Sequence, residues 1–217
     1  KETINGMHEW IVSFDLNSLY PHLIMQYNIS PETKMETSYD ETYGVTVDRI
    51  LDGGAEEKLS ALRERDFSIA ANGSCYTKEH MGFLPALMEK LYKERKVAKK
   101  KMIEAQQLQQ DIPKMNMPNL GRHAMNEKCK KEIAKYKNEQ LVRKVQLNSA
   151  YGAIGNQYCR YYDVDMATAI TTSGQLSIRW IAERLNKYLN ETIGTEDYDY
   201  VVASDTDSVY LRLGNLV

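Results

Sequence analysis

Apolar and polar positions change rhythm several times along this chain. Residues 9–14, EWIVSF, form a short apolar run ending at Asp15 and predict a strand. LNSLYPHLIMQYN then reads as a turn into a helix, with Pro21 tolerated in the first turn. Residues 30–60 are polar, acidic and glycine-containing, which predicts mostly loop. SIAANGSCY sets Asn72-Gly73 between β-prone residues, a hairpin signal. GFLP at 82–85 opens a long helix, LPALMEKLYKERKVAKKKMIEAQQLQQ, stopped by Asp111-Ile112-Pro113. NMPNLG at 116–121 predicts the loop of a helical hairpin, whose second helix runs from about residue 124 to 151 and closes on YGAIGN. MATAITTSGQLSIRWIAERLNKYLN predicts a third helix, weakened in its middle by threonines and Gly174. Last comes DYVVASDTDSVYLRL at 199–213, two β-branched runs around an acidic tip. Strand, helix, helical hairpin, helix and hairpin make an α+β chain, neither a repeat array nor a parallel βαβ sheet.

Composition alters that picture little. The chain has 217 residues, 42% hydrophobic and 27% charged, enough for one large domain or two small ones. No apolar run approaches the roughly 18 residues of a membrane-spanning helix, and no secretory signal opens the chain, so an intracellular protein is expected. The start at Lys1 rather than Met suggests a fragment or a processed form. Cys75, Cys129 and Cys159 are widely spaced and predict free thiols in a reducing compartment. The four histidines have no partner at ligand spacing and read as structural.

Charge is more informative. The net value of −2 hides an acidic stretch from 36 to 58 and two basic blocks, 86–101 and 121–144. Two separate basic blocks suit a polyanionic partner, although solvated Lys-rich helix faces give the same count. No G-x-G-x-x-G or Walker loop is present, so a glycine cradle for phosphates is excluded.

Asp15 and the Asp205/Asp207 pair each stand at a strand end beside a turn, which exposes carboxylates while strands fix them. Hard oxygen ligands without His or Cys suit Mg²⁺ or Mn²⁺. Two such ions about 4 Å apart are the recurrent device for displacement at phosphorus. Polar turn chemistry alone also explains Asp-Thr-Asp. On the helices, Lys144, Asn148 and Tyr151 fall at i, i+4 and i+7, and Arg95 and Lys99 are four apart. Cations on helix faces opposite a carboxylate–metal centre would serve a nucleoside triphosphate.

FDLNSLYP at 14–21, KVQLNSAYG at 144–152 and SDTDSVY at 204–210 resemble, in order, the three polymerase motifs of family B DNA polymerases. The likeness is nearest to the replicative polymerases of T-even-like phages, also in GFLP, in GNQYCRYYDVDMATAITTSGQ and in NETIGTEDYDY. The resemblance covers most of residues 7–213. It implies a palm in two parts, 1–82 and 152–217, around a fingers hairpin, 83–151, with exonuclease and thumb domains lying outside this sequence. It implies template-directed DNA synthesis, deoxynucleotides passing from dNTP to a primer 3′-hydroxyl on two Mg²⁺ ions, with Mn²⁺ as a substitute. Asp15 and Asp207 would bridge the metals, Asp205 would be the adjacent acid, and the Leu16 carbonyl would complete a metal shell. Backbone N–H groups of Ser18 and Leu19 would meet phosphate oxygens. Arg95, Lys99, Lys144 and Asn148 would hold the triphosphate, Tyr20 would gate the sugar, and Tyr151 and Gly152 would border the nascent base pair. Implied partners are primer-template DNA, dNTP, the other polymerase domains and a replisome clamp, with no membrane, in the cytoplasm of an infected bacterial host.

One pair of positions departs from the family. Ala203-Ser204 stands where Tyr-Gly is usual, removing a ring near the primer end and an adjustable backbone position. A nuclease could use the three aspartates, but it would not explain Lys144, Asn148 and Tyr151 or a gating Tyr20. An alternative within the family is a nucleotide- or DNA-binding piece of a split or truncated polymerase, inactive without its thumb.

Overall fold

The computed structural model describes residues 3–39, 44–62 and 65–216. Residues 40–43 of the acidic stretch, and the outermost residues of the two expected palm segments, lie outside the described residues. Two small antiparallel sheets and three long helices carry the architecture, an α+β fold.

The first sheet joins β1 (Ile11–Asp15), β5 (Val201–Asp205) and β6 (Ser208–Arg212) in the order β1-β6-β5. β1 starts two residues later than its apolar run, because Trp10 takes φ 54 and breaks the extended backbone. The second sheet orders β2 (Lys34–Ser38), β4 (Ser74–Thr77) and β3 (Phe67–Ile69) as β2-β4-β3, and Gly73, at φ 85, turns the β3–β4 hairpin. β2 and two short helices, α2 (Val47–Leu51) and α3 (Glu56–Ser60), lie where loop is expected. Pairing with β4 overrides the weak strand propensity of KMETS. At α2 the Thr46 hydroxyl caps the helix by accepting from the Arg49 N–H.

The helical hairpin consists of α4 (Phe83–Asp111) and α5 (Asn119–Ile154). α5 begins earlier than expected and shortens the connection. Arg122 donates to the Met115 carbonyl at 2.9 Å and Gln109 to Asn126 at 2.8 Å, locking the start of α5 against the connection and the end of α4. Glu94 and Arg143 tie the two helices further along, at 2.7 Å.

α6 (Val164–Ile193) runs unbroken through its threonines and Gly174. The Thr171 and Thr172 hydroxyls bond carbonyls of the preceding turn and so leave no polar group stranded. Asp163 caps its start and Gly194, at φ 75, ends it. Gly174 serves packing instead: a Cβ there would lie 3.2 Å from the Tyr20 ring, so the missing side chain lets α1 (Leu19–Tyr27) approach.

Two apolar clusters hold the fold. One gathers Ile24, Tyr76, Met88, Leu147, Ile154 and Ile170 where α1, β4, α4, α5 and α6 meet. The other packs Ile178 and the last turns of α6 on Val201, Val209 and Leu211 of the first sheet. The candidate site lies between these two clusters, at the end of β1 and the start of α1.

Candidate active site

Asp15 closes β1 opposite Ser208, and one residue on, the Leu16 N–H donates to the Asp207 carbonyl at 2.7 Å. Sheet register therefore brings Asp15 and Asp207 together from strands about 190 positions apart in sequence. The β5–β6 turn is tight: Thr206 adopts φ 42, a rare conformation for a β-branched residue. The Thr206 hydroxyl donates to Asp205 Oδ1 at 3.0 Å, and Ser208 Oγ to the Asp205 carbonyl at 3.1 Å. These bonds fix Asp205 at the exposed tip and turn Asp207 inward to a half-buried position.

The Asp207 carboxyl is pushed above its usual range, first by burial, then by the charges of Asp15 and Asp205, with Lys144 pulling the other way. A centre of mutually repelling carboxylates is what a divalent cation relieves, and an all-oxygen donor set fits Mg²⁺ or Mn²⁺. Among the described residues, no three His, Cys, Asp or Glu side chains converge as a ready-made metal cage. A metal here would need other oxygens, such as main-chain carbonyls, water or phosphate.

Ser18 precedes α1 with φ 53. Its carbonyl accepts from the His22 N–H at 3.1 Å and from His22 Nδ1–H at 2.9 Å, and its hydroxyl accepts from Arg95 at 3.1 Å. These contacts hold a left-handed residue at the mouth of a cavity of about 280 Å³. Ser18, Leu19, Tyr20, Asn148, Tyr151 and Asp207 line it together with Pro21 and Thr206. The Tyr20 ring meets Tyr151 at 4.8 Å between centroids, and burial, then Tyr151 and Asp207, push its hydroxyl pKa upward.

Arg95 and Lys99 line a neighbouring cavity of about 220 Å³ with Asn17, Tyr92 and Lys96. The Arg95–Ser18 bond connects the two. Arg95 Nε is buried without a hydrogen-bond partner among the described residues, an orphan donor that an anionic oxygen would satisfy. Lys144 is exposed on α5 and within electrostatic reach of Asp207. Gly152 is exposed in the last turn of α5, with open space where a Cβ would be. The half-buried Ala203 and Ser204 pair with Tyr210 and Val209, and neither has a positive φ.

A family model described as DNA polymerase family B matches residues 2–117 and 119–216. The chain belongs to that family. Among similar family B proteins, the DNA-directed DNA polymerase of Escherichia phage RB69 is 35% identical, the match covering 100% of this chain and 26% of the relative. That of Enterobacteria phage T4 is also 35% identical, over 96% of this chain and 25% of the relative. A DNA polymerase of Paramecium bursaria Chlorella virus NY2A is 29% identical over 94% of this chain and 18% of its own length. The chain thus spans about a quarter of the phage relatives' length. The family B match includes all three motif stretches.

Sequence reasoning missed Asn17, His22, Tyr92, Lys96 and Thr206 as part of this site. Tyr92 and Lys96 could have been found, because they share with Arg95 and Lys99 the i, i+3, i+4, i+7 face of α4. His22 could not, since its role depends on the backbone of Ser18. His8 likewise bonds a main-chain carbonyl, that of Ile4, and the three cysteines are free thiols.

Proposed function

We propose that this chain forms the nucleotide-binding and catalytic centre of a template-directed DNA polymerase. In this reading residues 1–82 and 152–217 are palm and 83–151 are fingers. The supporting observation is the β1–β6 register, which sets Asp15 beside Asp207, itself in the wall of the cavity shared by Tyr20, Asn148 and Tyr151. Asp15, Asp207 and the Leu16 carbonyl would hold Mg²⁺, with Asp205 as the adjacent acid, and Mn²⁺ could replace it. When bound, two such ions lower the pKa of the attacking primer 3′-hydroxyl and stabilise the leaving diphosphate.

The chain's own residues do the rest. Arg95, Lys99 and Lys144 neutralise the triphosphate, with the orphaned Arg95 Nε taking a phosphate oxygen. The first N–H groups of α1, at Ser18 and Leu19, meet phosphate oxygens as helix N-termini do. Asn148 helps to hold the triphosphate. Tyr20, braced by Tyr151, closes the space beside the sugar and excludes a 2′-hydroxyl. Tyr151 and the open surface at Gly152 border the nascent base pair. Ala203-Ser204 leaves the ligands intact and loosens the grip on the primer end.

Primer-template DNA, exonuclease and thumb domains and a sliding clamp are the partners this reading entails. With phage relatives, it also entails the cytoplasm of an infected bacterium. A second reading has support in the quarter-length span. The chain then binds nucleotide but needs the remaining polymerase for turnover.

Calorimetric titration with a dNTP in Mg²⁺, repeated with the matching rNTP and with Asp15→Ala, tests the assignment. Metal-dependent binding that prefers the deoxy form and vanishes in the variant is the expected result. Equal binding of both sugars would remove the Tyr20 role, and undiminished binding by Asp15→Ala would remove the metal assignment. Primer extension with the remaining polymerase supplied separates the two readings, and there Asp207→Ala abolishes extension if the two-metal assignment is right.

A further inference from the structure

The hairpin carries a second constellation away from the aspartates. Two ammonium groups, Lys101 Nζ and Lys135 Nζ, each stand over the ring of Tyr136 of α5 at 5.5 Å from its centroid. Beside it a depression of about 360 Å³ runs along the α4–α5 seam, with Lys93, Val97, Lys101 and Arg143 in its lining. A second depression, of about 720 Å³, shares Lys93 and Val97 and continues over the outer face of α4 to Lys96, Lys99, Lys100 and Ile103. Val97 and Ile103 are 55% and 51% exposed, large apolar side chains standing among lysines. Lys96 and Lys99 also line the cavity beside Arg95, so the outer depression borders the candidate active site, whereas Lys101 lies about 200° around α4 from Lys99 and places the Tyr136 side of the surface away from it.

We propose that this face binds single-stranded DNA, laid along the hairpin. Lys93, Lys96 and Lys100 present one cation per helical turn, a rise of roughly 5.4 Å, which an extended strand's phosphates can follow. Tyr136 offers a π-face for a base, and the ammonium displaced from the ring is left to meet the phosphate. Val97 and Ile103 give bases and sugars an apolar floor. Three carboxylates on this face are engaged, Glu94 with Arg143 and Glu89 with Lys93, both at 2.7 Å, and Glu104 with Lys100 at 3.9 Å, while Glu139 also lines the seam. An acidic peptide would meet the cations but would leave the flat Tyr136 ring unused.

The test is fluorescence anisotropy of a labelled oligothymidylate, about 16 nucleotides long, titrated with the whole chain across a salt series. Binding should weaken steeply with salt. Tyr136→Ala should weaken it about tenfold, in keeping with stacking of one base, while Tyr136→Phe retains it. Lys93→Glu with Lys100→Glu, both outside the cavity beside Arg95, should nearly abolish it. Nucleotide titration of Tyr136→Ala should match the unaltered chain, so failure here is distinguishable from failure of the polymerase reading. Absence of binding, full affinity in Tyr136→Ala, or equal displacement by polyglutamate would each overturn the proposal, the last pointing to an acidic protein instead.

Discussion

Tyr20 is held from three sides, and each hold is a single residue. Tyr151 meets its ring, Ser18 fixes the turn before it, and Gly174 of α6 leaves the space its edge occupies. Gly174→Ala sets two effects against each other. Removing a mid-helix glycine favours α6 by about 1 kcal/mol. The new methyl, 3.2 Å from Tyr20, requires that ring to shift by a few tenths of an ångström, while Leu19, at 3.6 Å, stays in ordinary contact. The expected outcome is a melting temperature within a few degrees of the original and a dNTP-over-rNTP preference reduced several-fold, read by parallel calorimetric titrations. An unchanged preference would mean that Tyr20 does not set sugar selection through its position. At this scale the sequence was legible where a residue carries its own chemistry, as Asp15, Asp207 and Tyr20 do. It was opaque where the role depends on a contact between elements. Nothing in HLIMQY tells that His22 holds the Ser18 carbonyl, and a mid-helix Gly174 reads as weakness until the neighbouring helix is in place.

Among the elements, period decided legibility. The long helices α4 and α6 were readable because the 3.6-residue pattern persists over many turns, and α5, which buries only Cys129, Leu147 and Ile154, from the turn signal before it and the glycine-rich end that closes it. β2, α2 and α3 were not, because five-residue elements in polar sequence take their shape from pairing and caps. The junction of β2 with α6 gives a pH-dependent prediction. Lys34 of β2 bonds Asp163 at 2.7 Å and Asp165 at 2.9 Å, while Asp163 also accepts the Met166 N–H as the cap of α6. Partial burial alone would raise the Asp163 carboxyl pKa. The bonds from Lys34 and Met166 outweigh burial and hold it below the usual range. A depressed folded-state value stabilises the fold above the ordinary carboxylate range, and that contribution is lost as pH falls through the folded value. Asp163→Asn keeps a good cap and loses the charge, so its deficit in urea midpoint should be present at neutral pH and shrink in strong acid. Asp163→Ala loses the cap as well, costing about 1 kcal/mol more at every pH. A deficit in Asp163→Asn that did not change with pH would exclude the ion pair as its cause.

For the whole molecule, the first sheet has two edges that are treated differently. Beyond β5, the Ile4 N–H donates to the Val202 carbonyl and shields that side. β1 forms the other edge, and among the described residues no further strand pairs with it. Val12 and Phe14 stand opposite Leu211 and Val209, on the face that α6 covers for β6. That cover stops short of β1, leaving Val12 38% and Phe14 51% exposed, with Trp10 at 60% beside them. An open apolar edge strand is a template for pairing with another chain. In the polymerase reading, other parts of a protein about four times this length would cover it, in line with the 26% of the phage RB69 relative that the chain spans. The chain alone should therefore self-associate, visible in sedimentation velocity as a coefficient that rises with concentration. Phe14→Lys, which places a charge on the edge and keeps an aliphatic stem over the sheet, should return it to monomer without a large loss of stability. If the chain stays monomeric throughout, or Phe14→Lys associates as before, this edge is not the interface. The polymerase centre would then stand without help from whatever covers β1.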